Sequence, residues 1–324
     1  MKAILCKSFS SIDALSYEDV PTPLIGKHQV LISVKAAGVN FPDILLIEGK
    51  YQIKPALPFS PGGEVAGIVK AVGEGVTHVK VGDSVIAGTL IGGYAEEAVA
   101  ESSRVFPIPS GMDFVKAAAL LTVYGTSYHA LVDRAKIQAG ETLLVLGAAG
   151  GVGLAAVDIG KALGAKVIAA ASSAEKLAVC KTYGADELIQ YTTEDLKERV
   201  KQITGGKGVD VIYDPVGGQY TELAFRNMAW QGRYLVVGFA GGDIPALPTN
   251  LALLKGAALM GVFWGAFTAQ QPALFQKRLK ELLEMFEAGT LKAHIHATYP
   301  LENAQEAMRI VANRGVVGKI VLTM

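Results

Sequence analysis

The chain has 324 residues, 51% of them hydrophobic, with 30 basic and 30 acidic side chains and a formal net charge of +0. This composition excludes a mainly disordered chain, and no block of one charge sign offers a footprint for phosphate backbones, so nucleic acid is not an expected partner. The 2 cysteines, Cys6 and Cys180, cannot build a disulfide framework or a four-thiolate zinc site, and the 37 glycines have no three-residue period and instead mark tight turns.

The opening residues lack a positive region followed by a long apolar run, so they do not read as a signal peptide, and a cytoplasmic location is expected. The first 120 or so residues are β-rich. HQVLISVKAAGV (28–39) and GGEVAGIVKAVG (62–73) have strand composition, VIAG (85–88) follows the turn at Gly82-Asp83, and 92–109 supply short strands closed by Pro107 and Pro109. They predict an irregular, barrel-like domain. After Asp113 the segment 115–135 is helix-like, with Gly125 as an internal weak point.

From 142 the pattern alternates. Strands are predicted at TLLVL (142–146), KVIAAA (166–171), ELIQ (187–190), VDVIYD (209–214), GRYLVVG (232–238) and AALMGVF (257–263), with helices between them, one of which Thr193 is placed to cap. Such alternation makes βαβ units and a largely parallel, doubly wound sheet. Residues 143–160 and 251–267 are apolar enough to be weighed as membrane spans. Asp158, Lys255 and the glycines make both read as buried segments, and no membrane insertion is expected. An amphipathic helix at 272–289 presents Leu279, Leu282, Leu283 and Phe286 at helical spacing. A further helix at 301–315 precedes a strand, GKIVLTM (318–324), expected to return to the first domain.

Gly147-Ala148-Ala149-Gly150-Gly151-Val152-Gly153 stands between the first strand of the alternating region and its helix. A pyrophosphate needs bare backbone N–H groups and gains from the positive end of a helix, so this strand-turn-helix context predicts a dinucleotide site. The spacing is G-x-x-G-x-x-G. At the end of the second strand, where an enzyme using NAD commonly places a carboxylate, stand Ala170, Ala171, Ser172 and Ser173. Ser172 and Lys176, with Tyr191 at the end of the next strand, suit a ribose 2′-phosphate, which makes NADPH the expected cofactor; Glu175 is acceptable there only if it points to solvent. Asp214 and Val216, Gly238 and Phe239, and Phe263 and Trp264 follow later strands and are candidates to line the nicotinamide. The two aromatics read equally well as core or subunit-interface residues.

In ordered motifs along nearly the whole chain, the sequence resembles the medium-chain dehydrogenase/reductase superfamily and, within it, the zinc-free quinone oxidoreductases. The motifs are Ala37-Gly38-Val39-Asn40-Phe41-Pro42-Asp43, Gly49-Lys50-Tyr51, Pro61-Gly62-Gly63-Glu64-Val65-Ala66-Gly67, Gly82-Asp83, the glycine turn and Gly318-Lys319. The resemblance implies an α/β protein with a GroES-like β-rich catalytic domain, residues 1–122 and 265–324, and an inserted Rossmann-type domain, 123–264. It implies a homodimer in which sixth strands pair, and places Gly318 and Lys319 with the cofactor-binding residues.

Zinc-dependent alcohol dehydrogenases of this superfamily carry a cysteine at the position matching Asn40 and a histidine at that matching Gly63; this chain has neither, and its 5 histidines form no close ligand motif. His294 and His296 lack an obvious third ligand and read as surface residues. No metal is expected. The resemblance therefore implies NADPH-dependent hydride transfer to quinones or to related activated carbonyls or alkenes, with Asn40, Tyr51 and Thr122 as candidate donors to the acceptor oxygen. Tyr51 also resembles the tyrosine of the G-x-Y motif in enoyl-thioester reductases, the main alternative activity. A non-catalytic NADPH-binding role and zinc-independent alcohol oxidation are further alternatives. Asp43 is expected to organise Asn40 and the local backbone. Leu45 and Ile47 replace a tyrosine and an arginine of the best-known bacterial quinone reductases, which implies a less polar pocket.

Overall fold

The computed structural model describes residues 1–324. In chain order the elements are β1 (Lys2–Leu5), β2 (Ser16–Asp19), β3 (Gln29–Val39), α1 (Phe41–Ile47), β4 (Glu64–Val72), β5 (Ser84–Gly88), β6 (Glu97–Glu101), β7 (Val105–Pro107), α2 (Phe114–Ala117) and α3 (Leu121–Tyr128). There follow β8 (Thr142–Leu146), α4 (Gly151–Ala162), β9 (Lys166–Ala171), α5 (Ala174–Thr182), β10 (Glu187–Gln190), α6 (Leu196–Ile203), β11 (Val209–Asp214), α7 (Tyr220–Arg226), β12 (Met228–Val236), α8 (Asn250–Lys255) and β13 (Ala258–Gly261). The tail holds α9 (Trp264–Gln270), α10 (Pro272–Glu287), β14 (Ile295–Pro300), α11 (Ala304–Ala312) and β15 (Lys319–Thr323). The chain divides into one unit of 1–122 with 293–324 and a second of 123–292.

The first unit is built on a sheet of 7 strands in the order β14-β15-β3-β4-β5-β7, with β6 also paired to β3. The central strand β3 is long because its β-branched and small residues are buried on both faces. The final strand, β15, runs antiparallel to β3, pairing Ile320 with Val39, so the chain end returns to the first unit. Between β3 and β4 the sequence reading missed a helix. α1 is short, and Asn40 and Asp43 close its N-terminus with a reciprocal capping box.

The second unit contains a sheet of 6 strands in the order β10-β9-β8-β11-β12-β13, with every pairing parallel. After Thr142 and Lys166 at their starts, strands β8 and β9 are hydrophobic and buried to their ends, as central strands of a parallel sheet are. The order reverses beside β8, which makes the carboxyl end of β8 the switch point where ligands gather in such sheets. The helix-like segment 115–135 is broken into α2, α3 and a π-helical turn at His129–Arg134. α6 starts later than Thr193: Asp195 is its N-cap, accepting from the Glu198 N–H, whereas the Thr193 hydroxyl donates to the Gln190 carbonyl. α10 buries Phe275, Leu279 and Leu282 within this unit, and Trp264 meets Phe275 edge-on at 5.4 Å. Residues 265–292 therefore pack in the second unit, and the compact boundary lies at 292, not 264. No helix is long and apolar enough to cross a membrane.

Candidate functional site

The turn after β8 assigns its three spaced glycines different tasks. Gly147 has a left-handed φ of +56°, and a Cβ there would stand 2.8 Å from Cγ2 of Val216. A Cβ on Gly153 would lie 2.3 Å from the Gly147 carbonyl oxygen, so glycine is required for α4 to approach the strand. Gly150 differs from both. It is the N-cap of α4 at φ −72°, ψ 172°, with no side chain closing the helix end. A Cβ there would meet nothing nearer than the Gly147 oxygen at 3.4 Å. Packing does not demand glycine at 150; an open N-terminus does.

The first-turn N–H groups of Gly151, Val152 and Gly153 have no partner within the helix and face out of its positive end. Those donors, with a bare Gly150 among them, fit a pyrophosphate. Ser127 braces the same turn: its hydroxyl donates to the Val152 carbonyl at 2.8 Å and meets the Tyr213 hydroxyl at 2.8 Å. Sequence reasoning missed both residues, since a serine inside a helix-like segment carries no distinguishing pattern.

At the end of β9, the Ser173 hydroxyl caps α5 by accepting the Lys176 N–H. Glu175 is exposed, and its carboxyl is held below its usual range by its own backbone N–H and the Ser173 hydroxyl. Ser172 is half-buried, and its carbonyl accepts from the Thr192 hydroxyl at 2.9 Å. Tyr191 stands against Tyr220 with ring centroids 4.6 Å apart. Ser172 and Tyr191 thus follow the ends of the neighbouring strands β9 and β10, and Lys176 lies in the first turn of α5.

Asp214 is committed to its own loop. It accepts from the N–H groups of Val216 and Gly217 and the hydroxyls of Thr221 and Tyr234, at 2.5–3.0 Å. Four donors occupy the carboxylate, so Asp214 shapes the Val216 loop and has no lone pair left for a cofactor. The backbone of Gly238 is tied to the Asp214 carbonyl, while Phe239 and Phe263 remain 37% and 49% exposed. Trp264 is a packing residue. Its ring fills the space over Gly125, where a Cβ would lie 2.4 Å from Cζ2, and it contacts Phe267 and Phe275.

In the first unit a buried polar network joins residues far apart in sequence. The Lys319 ammonium donates to the Val39 carbonyl at 2.9 Å, to Asn40 Oδ1 at 2.6 Å and to Glu64 Oε1 at 2.9 Å. Asn40 Nδ2 donates to Glu64 Oε1 and the Gly38 carbonyl, while Glu64 Oε2 accepts the Thr122 N–H at 2.8 Å. A Cβ at Gly38 would stand 2.4 Å from Glu64 Oε1, so glycine there admits the carboxylate.

This geometry corrects two expectations. All three ammonium protons of Lys319 are engaged inside the unit, so its side chain does not reach a cofactor. Both amide protons and the oxygen of Asn40 are likewise engaged, which removes it as a donor to an acceptor. Gly318 has φ +72° and supports the turn against His294, which is half-buried rather than on the surface.

Asp43 is fully buried beside this network. Its Oδ2 accepts the Asn40 N–H at 2.9 Å and the Tyr94 hydroxyl at 2.7 Å. Burial pushes its carboxyl up to about 6, against the opposing pull of Tyr94, Asn40 and Lys319. Tyr51 is half-buried, and burial together with the Asp43 charge raises its phenol, so it is protonated at neutral pH. Thr122 is half-buried; its N–H serves Glu64, and its hydroxyl takes no part in the network. Tyr51 and Thr122 are the candidate donors that remain. Ile47 is wholly buried in the core, leaving only Leu45 of that pair to bear on a pocket.

Two family models match the chain: the alcohol dehydrogenase GroES-like domain over residues 26–110 and the zinc-binding dehydrogenase domain over 151–288. A quinone oxidoreductase-like protein 2 homolog of Nematostella vectensis is 41% identical over 99% of this chain and 88% of its own length. The quinone oxidoreductase of Homo sapiens is 35% identical over 100% of this chain and 98% of its own. The chain belongs to the zinc-free quinone oxidoreductase family of the medium-chain dehydrogenase/reductase superfamily. Among solved structures, Escherichia coli quinone oxidoreductase complexed with NADPH superposes with a TM-score of 0.93 at 29% identity, covering 100% of both chains. A mycobacterial structure complexed with NADPH gives a TM-score of 0.94 at 32% identity, again over 100% of both chains.

Within this zinc-free quinone oxidoreductase the positions of the zinc ligands of related alcohol dehydrogenases have been put to other use. Asn40 is bonded to Glu64 and Lys319, and Gly63 has no side chain. No group of three or more His, Cys, Asp or Glu side chains is placed to hold a metal ion.

Proposed function

We propose that this protein reduces quinones, or related activated carbonyls and alkenes, with NADPH and without a metal. The observation that carries this reading is the glycine turn between β8 and α4, where Gly150 leaves the helix N-terminus bare although packing would accept a side chain. Two relatives of the same fold are complexed with NADPH.

NADPH, when bound, supplies a hydride. The chain's own residues bind and orient. Gly151, Val152 and Gly153 present N–H groups to the pyrophosphate, and Ala148, Ala149 and Gly147 let the backbone approach it. Ser172, Lys176 and Tyr191 supply the 2′-phosphate environment, with no carboxylate at the end of β9. The loops carrying Val216, Gly238, Phe239 and Phe263 flank the nicotinamide end. Tyr51, protonated at neutral pH, and the Thr122 hydroxyl donate to the acceptor oxygen, where charge develops on reduction. Oxidation of NADPH and of NADH, followed with quinones, alkenals and a crotonyl thioester, tests this reading. Quinone or enone turnover with a preference for NADPH is expected, as is a loss of about tenfold or more in Tyr51→Phe. Equal use of NADH removes the role given to Ser172, Lys176 and Tyr191.

The protein is further inferred to form a homodimer through the free edge of β13. That edge strand ends the sheet, and Trp230, Leu253, Leu254, Leu259 and Phe263 near it are exposed. Pairing two such edges would bury these side chains and satisfy the unpaired strand.

A further inference from the structure

The hydrogen bonds that brace the glycine turn have a direction. Ser127 on α3 and Tyr213 on β11 are both at 0% exposure, and both lie with Val152 in the second unit. The Val152 carbonyl can only accept, so the single Ser127 hydroxyl proton goes to it, across 2.8 Å. The Ser127 oxygen is then left as an acceptor for Tyr213, whose hydroxyl stands 2.8 Å away. Burial raises the Tyr213 phenol, which therefore keeps the proton it donates. The chain of donors runs one way, from Tyr213 to Ser127 to Val152. β11 adjoins β8 in the sheet, pairing Tyr213 with Val145, so the relay starts on the strand beside the turn it supports.

We propose that Tyr213 and Ser127 are positioning residues for the dinucleotide: they orient and strengthen the Gly153 N–H that meets the pyrophosphate. This rests on the pyrophosphate seat proposed at the start of α4. The Val152 C=O and the Gly153 N–H belong to one planar peptide unit and point in opposite directions. In the first turn of a helix the N–H of such a unit looks out of the open end and has no partner within the helix. Fixing the carbonyl from behind therefore fixes where that N–H points. A hydrogen bond accepted at the carbonyl also draws charge across the amide and makes its N–H a better donor to an anion. Gly153 itself is pressed against the turn, where a Cβ would lie 2.3 Å from the Gly147 oxygen and 2.9 Å from the Ala148 Cα. No side chain fits at 153 to hold this peptide, and the Ser127 hydroxyl holds it from α3. Both positioning residues are buried and act only through the Val152–Gly153 peptide.

Calorimetric titration with NADPH and with NADH, set beside melting temperature, tests this in Ser127→Ala, Tyr213→Phe and the double variant. Ser127→Ala strands the buried Tyr213 hydroxyl and should melt below the wild type. Ser127→Ala/Tyr213→Phe removes that orphan and should recover much of the loss. Affinity should follow a different order. Ser127→Ala should bind NADPH about three- to tenfold more weakly, and the double variant should be equally weak, because Tyr213 works only through Ser127. Tyr213→Phe leaves the Ser127 proton on Val152 and should lose only about twofold. NADH carries the same pyrophosphate and should lose by the same factor in each protein. Unchanged affinity in Ser127→Ala, or affinity that returns with the melting temperature in the double variant, overturns the positioning role while the cofactor seat stands. A loss confined to NADPH does the same. Wild-type protein that takes up neither dinucleotide overturns the seat and the relay with it.

Discussion

At residue scale, the Lys319–Glu64 pair is the most constrained feature of the first unit. Both side chains are buried, at 5% and 0% exposure, and desolvating two charges is repaid only while each keeps its partners. Lys319→Met leaves the Glu64 carboxylate facing Asn40 and Thr122 without a cation and is expected to cost about 3–5 kcal/mol. The double variant Glu64→Gln/Lys319→Met removes both charges and should be less destabilised than Lys319→Met alone. Calorimetric melting of the three proteins checks this, and a double variant worse than the single one would contradict it. The pair also shows where residue-level reading fails. Gly318-Lys319 is visible as a motif, but its acceptors lie 255 to 280 positions away, and no local pattern links them. Gly147 and Gly153 were legible because strand, turn and helix are contiguous.

At the scale of elements, the alternating segments after 142 locate the strands because β8 to β12 bury hydrophobic residues and helices separate them. Pattern fails where tertiary contacts interrupt a helix. Residues 115–135 read as one helix, but Trp264 presses on Gly125 and the chain goes through a π-helical turn at His129–Arg134. α4 carries a further consequence. Asp158, near its middle, accepts the Lys292 N–H at 2.7 Å and the Tyr124 hydroxyl at 3.0 Å. Burial pushes the carboxyl from 3.8 up to about 6. A raised acid holds its proton longer in the folded state, so its contribution to stability is full below about 3.8 and is lost as pH rises through about 6. Relative to wild type, Asp158→Asn should therefore gain melting temperature as pH rises from about 4 to about 6, with little further change above that. A gap that is constant, or that moves the other way, would contradict this.

At the scale of the whole molecule, the parallel sheet of the second unit followed from the alternation of strands and helices, and the last strand returns to the first unit as expected, while the strand orders and the pairing of β15 with β3 were not legible in the sequence. Nor was the boundary of the second unit, since α10 could be assigned only once its apolar face had a partner. The exposed β13 edge gives a prediction at this scale. Light scattering should report two chains for the wild type, and Leu259→Asp, which puts a charge on the edge, should give one; a monomeric wild type would remove the dimer.

The proposed reaction requires a dinucleotide seated at the bare N-terminus of α4, and calorimetric titration with NADPH tests that most directly when Gly150→Ala is measured beside the wild type. Packing tolerates the methyl group, whose nearest neighbour is 3.4 Å away, so the melting temperature should not change, while NADPH affinity should fall by about tenfold or more, about 1.4 kcal/mol. Undiminished affinity in Gly150→Ala, or no binding heat in the wild type, would contradict it.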